Sequence, residues 1–260
     1  MPPAWVAEAS ALPGHRPVTL AGMERVGEGV EVLRLRAPGR VQRTTNVYLL
    51  EDDGGVVVYE TGSVGAADAI REAAAPRGGI RRIVLSHAHA DHRGGASRLD
   101  APIFCHPDER PGAEGDGWAT DGFDYAKVRN PIVRALAPRA LREMDGGPVA
   151  IAGTLAEGDR VSGFGVVHLP GHTPGQIGLW RESDRLAIVS DAVFAWNPFS
   201  IAGRPGRARL PPPPIRPDDA AARASIRRIA ALDPATVWLG HYGPIPGDVR
   251  AQLERAAEEG

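Results

Sequence analysis

The 260-residue chain is poor in cysteine, lysine and aromatic residues, and it has no long unbroken apolar run. Cys105 is the only thiol, which excludes an internal disulfide and any thiolate cluster for zinc or iron–sulfur, and points to a reducing compartment, the cytoplasm. Lys127 is the only lysine; the remaining basic residues are arginines, and the formal net charge is −2. With no dense basic run, a nucleic-acid groove is not expected. No stretch approaches the roughly 18 apolar residues of a membrane span, so no membrane partner is expected. The N-terminal tract, with Pro2, Pro3 and Glu8 and no basic lead, does not read as a secretory signal. A small-molecule substrate is compatible with these absences.

Histidine and aspartate are present where it matters. The window His87-Ala88-His89-Ala90-Asp91-His92 follows the apolar run Ile83-Val84-Leu85, which reads as a buried strand. A chain leaving a strand is locally extended, so His87 and His89, two positions apart, point the same way. Asp91 and His92 lie past the bend and can face a second ion. Imidazole and carboxylate donors without thiolate suit Zn²⁺, with Fe or Mn also compatible.

Three more donors follow apolar runs downstream: His172 within Pro170-Gly171-His172-Thr173-Pro174-Gly175, Asp191 after Ser190, and His241 after Gly240. Donors at the ends of different strands can converge on one edge of a folded sheet. The flanking prolines and glycines set tight turns that hold each imidazole.

In these motifs, and in Glu60-Thr61-Gly62 near the start, the chain resembles the metallo-β-lactamase-fold hydrolase superfamily. The resemblance implies a first metal held by His87, His89 and His172, a second by Asp91, His92 and His241, and the Asp191 carboxylate bridging them. Glu60 stands where the family usually has Asp, in a position that supports the metal-binding loop rather than touching metal. A longer carboxylate can still accept a hydrogen bond from an imidazole or a loop amide.

The true β-lactamases use a cysteine in the second site or lack the bridging Asp, so antibiotic hydrolysis is disfavoured. The pattern is more similar to the glyoxalase II, lactonase and phosphodiesterase branches. The implied function is a dinuclear hydrolase of an ester, lactone, thioester or related carbonyl compound through metal-bound hydroxide, with Asp91 handling a proton. Three alternatives are weighed: a phosphodiesterase, an iron-dependent persulfide dioxygenase-like oxidoreductase, and a non-catalytic metal-stabilised domain. Glutathione thioesters need a basic pocket near the C-terminus, where only Arg250 and Arg255 stand, on an amphipathic helix that turns them to solvent.

A chain of this length with 43% hydrophobic residues can bury a large core as a single domain spanning residues 1–260. Strands are expected at Val30 to Leu35, Asn46 to Leu50, Val56 to Tyr59 and Ile83 to Leu85, with a helix from Ala66 to Ala75. The second half echoes this with strands at Val161, Val166 to Leu169, Ile177 to Trp180, Leu186 to Val189 and Val237 to Leu239. Helices are expected from Asp219 to Leu232, capped by Asp218, and from Asp248 to Glu258. That order predicts an α/β fold, a four-layer αββα sandwich.

Two segments interrupt it. Residues 107–148 read as a partly helical inserted cap carrying Trp118, Phe123, Tyr125 and the apolar stripe Ile132, Val133, Leu136. Residues 195–217 carry Arg204, Arg207 and Arg209, read as solvated, and Pro211 to Pro214, read as polyproline II beside the metals. Candidate substrate contacts are Trp196, Asn197, Phe199, Tyr242 and Phe123. His106 and His168 read as structural, His15 suggests nothing, and Cys105 reads as a small buried hydrophobe.

Overall fold

The computed structural model describes residues 18–36, 44–115, 122–199 and 206–259. The N-terminal tract, His15, Trp118 and Arg204 lie outside the described residues, as do parts of the 107–148 and 195–217 segments.

The first sheet has seven strands in sequence order: β1 (Thr19–Gly27), β2 (Val30–Arg36), β3 (Thr44–Asp52), β4 (Gly55–Tyr59), β5 (Ile80–Val84), β6 (Ile103–Cys105) and β7 (Ile151–Thr154). β1 to β4 form an antiparallel meander, and β4 to β7 run parallel. The β3–β4 turn is Asp53-Gly54, with Gly54 at φ 71°, a conformation glycine adopts without steric penalty. The second sheet orders β12 (Thr236–Trp238), β11 (Leu186–Ile188), β10 (Ile177–Arg181), β9 (Phe164–His168) and β8 (Arg160–Val161).

Alternation within strands builds the layers. In β4, Val57 and Tyr59 enter the core shared with Phe164, Val166, Leu179 and Ile188 of the second sheet. Val56 and Val58 face the other way, onto Ala67, Ile70 and Ala74 of helix α1 (Ala67–Ala74). The second sheet turns Val167, Ala187 and Val237 outward, onto Ile226 and Ile229 of α5 (Asp219–Ala231) and Leu253 of α6 (Val249–Glu258). Each valine, leucine, isoleucine or phenylalanine among them, once buried, contributes about 1.5–3 kcal/mol. The outcome is the αββα sandwich, and Asp218 caps α5 by accepting the Ala221 N–H at 2.9 Å. No helix of the described residues is long and apolar enough to cross a membrane.

β1 and β7 have no counterpart in the hydrophobic pattern. β1 is an edge strand exposed or half-buried along its whole length, so it carries no core-facing alternation. Helix α2 (Ala90–Arg93) begins within the histidine loop, and the inserted segment is partly helical, with α3 (Arg110–Glu114) and α4 (Pro131–Met144). Of its apolar stripe, Ile132 and Leu136 stand exposed; the buried residue of α4 is Leu141, outside that stripe. The proline run departs in part from the polyproline expectation: Pro212 has polyproline angles, but Pro213–Ile215 closes a 3₁₀ turn, which proline at a first helical position permits.

Strand direction places the site. β4 and β5 are parallel, and so are β11 and β12; β9 is antiparallel to β10, which is antiparallel to β11. The segments after β4, β5, β9, β11 and β12 therefore carry Glu60, the 87–92 loop, His172, Asp191 and His241 to C-terminal strand edges.

Candidate metal centre

His87, His89 and His172 each present a donor atom, all within 4.8 Å of one another, and Asp91, His92 and His241 do the same beside them. The Asp191 carboxylate lies between the groups. Its Oδ2 is 3.4 Å from His92 Nε2, 3.5 Å from His241 Nε2 and 3.7 Å from His172 Nε2. Asp91 Oδ2 is 3.3 Å from His241 Nε2. All seven residues singled out in the sequence thus meet in one place.

Their outward nitrogens are held. His172 Nδ1 donates to the Ile215 carbonyl at 2.7 Å and His241 Nδ1 to the Thr44 carbonyl at 3.0 Å. His87 Nδ1 donates to Ser86 Oγ at 2.8 Å, which in turn donates to Ser190 Oγ at 2.9 Å. His92 Nδ1 donates to Glu60 Oε2. A neutral imidazole that donates from Nδ1 keeps its lone pair on Nε2. The Nε2 atoms of His87 and His172 are buried and have no hydrogen-bond partner. Orphaned acceptors at that depth are unfavourable unless a cation takes them, and histidine and carboxylate donors suit a divalent one. The clusters fit one or two divalent metals.

Glu60 also lies within reach of His87 and His92, in a third grouping. Its oxygens, however, are taken by His92 Nδ1 and by the Ser86 N–H at 2.8 Å. Glu60, Ser190 and Tyr242 all have positive φ, 70°, 47° and 62°. Left-handed backbone in non-glycine residues is unfavourable by about 1–2 kcal/mol each, and here it sits beside candidate ligands.

Charge is divided between the clusters. Burial holds the His87, His89 and His172 imidazoles below their ordinary value. Burial also opposes charge on His92 and His241, but Asp191, with Glu60 and Asp91 at His92 and with Asp91 at His241, outweighs it. His92 is lifted well above the usual range and His241 to about 10. Asp91 and Asp191 are held below the usual carboxylate range: burial opposes their ionisation, and His92 and His241 overcome it.

Beside the centre opens a cavity reached by His89, Asp91, His172, Asp191 and His241. Phe123, Trp196 and Phe199, three of the candidate substrate contacts, line it. Ala137 and Leu141 of α4, Phe194, Pro198 and Ile215 line it as well, and no sequence signal marked them. Among the described residues, no arginine or lysine does. Asn197 instead accepts the Phe199 N–H at 2.9 Å and lines a separate opening with Pro211 and Arg216. Tyr242 packs edge-on against Trp196, with ring centroids 5.6 Å apart, and does not line this cavity.

The other singled-out residues lie away from the centre. Arg207 pairs with Glu259 on the surface, and the Arg209 backbone bridges to Phe194. His106 and His168 stack on each other at 4.2 Å, and burial pushes the Cys105 thiol up to about 12. Arg250 pairs with Glu254, and Arg250 and Arg255 are both exposed.

Comparison with known proteins agrees with this geometry. The model of the metallo-beta-lactamase superfamily matches residues 40–241. A probable metallo-hydrolase of Bacillus subtilis, YflN, is 26% identical over 254 residues, covering 90% of this chain and 94% of its own length. Among solved structures, the di-iron-bound form of TTHA1623 superposes with a TM-score of 0.59 at 27% identity, covering 85% of this chain and 98% of that one. The family protein TTHA1429 from Thermus thermophilus reaches a TM-score of 0.62 at 24% identity, over 90% of this chain and 79% of its own.

Proposed function

Because the chain belongs to the metallo-β-lactamase superfamily, we propose that it is a dinuclear metallo-hydrolase of esters, lactones, thioesters or related carbonyl compounds. The observation that carries this reading is the Asp191 carboxylate between two clusters of donors, with the Nε2 atoms of His87 and His172 otherwise orphaned. In the proposed assignment His87, His89 and His172 hold one ion, Asp91, His92 and His241 the other, and Asp191 both. Zn²⁺ is the proposed metal; the donor set also accommodates Fe or Mn.

Two divalent ions bound there would supply an activated water at neutral pH and polarise the scissile carbonyl. The chain's own residues do the rest. Ile215, Thr44, Ser86 and Glu60 fix four imidazole orientations in advance, so little reorganisation is left to the reaction. Asp91 lines the cavity and its side chain is 23% exposed, against 6% for Asp191, so it is the carboxylate proposed to receive and return a proton at its Oδ atoms. Phe123, Phe194, Trp196 and Leu141 wall the cavity and favour a neutral, apolar substituent next to the reacting group. With Arg250 and Arg255 exposed on α6, no cation among the described residues meets a glutathione carboxylate at the cavity.

The test is a panel of aryl ester, lactone, glutathione thioester, phosphodiester and β-lactam on zinc- and iron-loaded protein. Aryl ester or lactone turnover is expected to exceed that of S-lactoylglutathione at least tenfold in kcat/KM, about 1.4 kcal/mol of transition-state binding. A phosphodiester or β-lactam as the best substrate would contradict the carbonyl-ester reading.

A further inference from the structure

Glu109 is a buried carboxylate, 4% exposed, that belongs to none of the metal-ligating motifs. It ends the 3₁₀ turn Pro107–Glu109, where the inserted segment leaves β6. Its Oε2 accepts the Ala88 N–H at 2.8 Å, and its Oε1 accepts the Gly175 N–H, also at 2.8 Å. Ala88 sits between His87 and His89, and Gly175 closes the turn that presents His172. One carboxylate therefore ties together the two loops that carry the three-histidine cluster. The contact is tight: a Cβ on Gly175 would lie 2.8 Å from Glu109 Cγ and 2.9 Å from Glu109 N, so only glycine lets the loop approach this closely.

Glu60 does the complementary work. It accepts the Ser86 N–H and the His92 Nδ1–H, and its one direct bond to a ligand imidazole is thus in the other cluster. The two acids grip successive parts of one loop, at Ser86 and at Ala88, from different elements.

We infer that Glu109 is the positioning residue for the ion held by His87, His89 and His172, as Glu60 is for the ion held by Asp91, His92 and His241. The inference rests on the dinuclear reading and assigns each ion its own carboxylate outside the ligand set. Support of this kind is worth about ten- to hundredfold in metal affinity. Glu109→Gln keeps the size of the side chain but turns an N–H₂ toward one of the two amide donors, so one bond is lost and two donors face each other. Glu109→Asp keeps the charge but is too short to span both amides.

The chain, freed of metal, is titrated with cadmium alone and followed by cadmium NMR, in which each bound ion gives its own resonance, with chelator competition for affinity. Glu109→Gln is expected to weaken one ion by about ten- to hundredfold and leave the other as in wild type. Glu60→Gln is expected to weaken the other ion. Faster hydrogen exchange at the Ala88 and Gly175 amides should accompany the first change. Glu109→Asp, the fallback if the glutamine variant does not fold, is expected to weaken the same ion. Equal weakening of both ions, with a matching fall in the stability of the metal-free chain, would make Glu109 a general structural residue and overturn the inference. Unchanged affinity for both would overturn it as well. Wild-type protein that takes up two ions keeps the hydrolase reading whichever way the variants behave.

Discussion

Gly240 makes room for Asp191. A Cβ at position 240 would overlap Asp191 Oδ1 and lie 2.7 Å from His92 Cε1. The glycine that precedes His241 in the sequence is thus needed for the carboxylate beside it, not only for the turn.

Gly240→Ala should therefore displace the shared carboxylate without removing a ligand. Misplacement by about 1 Å in a catalytic constellation lowers turnover by about a hundredfold. That is the expected fall in kcat/KM, with reduced metal content, measured on protein whose circular dichroism matches wild type. Wild-type activity in this variant would show that Asp191 is free to move.

Metal uptake should release protons, all of them with one ion. In the metal-free chain His92 and His241 are held protonated at neutral pH, His241 to about 10, whereas burial keeps His87, His89 and His172 neutral and the two aspartates are already ionised. Filling the Asp91, His92 and His241 cluster displaces those protons; filling the other displaces none. Both raised pKa values also stabilise the metal-free fold fully below the ordinary imidazole value, and this contribution is lost as pH rises through about 10 for His241. Metal titration in weak buffer with a pH indicator reads the first effect, and urea unfolding of metal-free protein against pH reads the second. Equal proton release from both ions would contradict the charge division.

Asn46 should matter as much as a ligand for the His241 turn. It is fully buried, and its Nδ2 donates to the Leu239 carbonyl at 2.9 Å and to the Tyr242 carbonyl at 2.5 Å. Asn46→Ala leaves the Tyr242 carbonyl without this donor and is expected to lower stability by about 1–3 kcal/mol, read by urea unfolding, with weaker binding of the ion at His241. Loss of stability with unchanged metal affinity would separate the turn from the site.

The candidate site was legible because its donors are compact, chemically distinctive motifs at the ends of apolar strands. His87 to His92, His172, Asp191 and His241 needed only the strand directions to be brought together. Glu109 was not legible, since its partners are backbone amides 21 and 66 residues away and any residue type supplies an amide. The cavity wall was half legible. Aromatics such as Phe123 and Trp196 draw notice, but Ala137 and Leu141 look like any helix residues until α4 is seen over the site. Strand β1 was hidden for a related reason: an exposed edge strand has no buried face to impose a two-residue period. Asn197 and Tyr242 share loops with cavity residues, yet a short Asx turn and a contact with Trp196 direct them elsewhere.

Elemental analysis of wild type, His241→Ala and Asp191→Ala, purified in parallel, tests the dinuclear assignment most directly. The proposed ligand sets share only Asp191, so wild type should carry about two ions per chain, His241→Ala about one, and Asp191→Ala less than either. Two ions retained in His241→Ala, or loss of a single ion in Asp191→Ala with the other held as tightly as before, would contradict it.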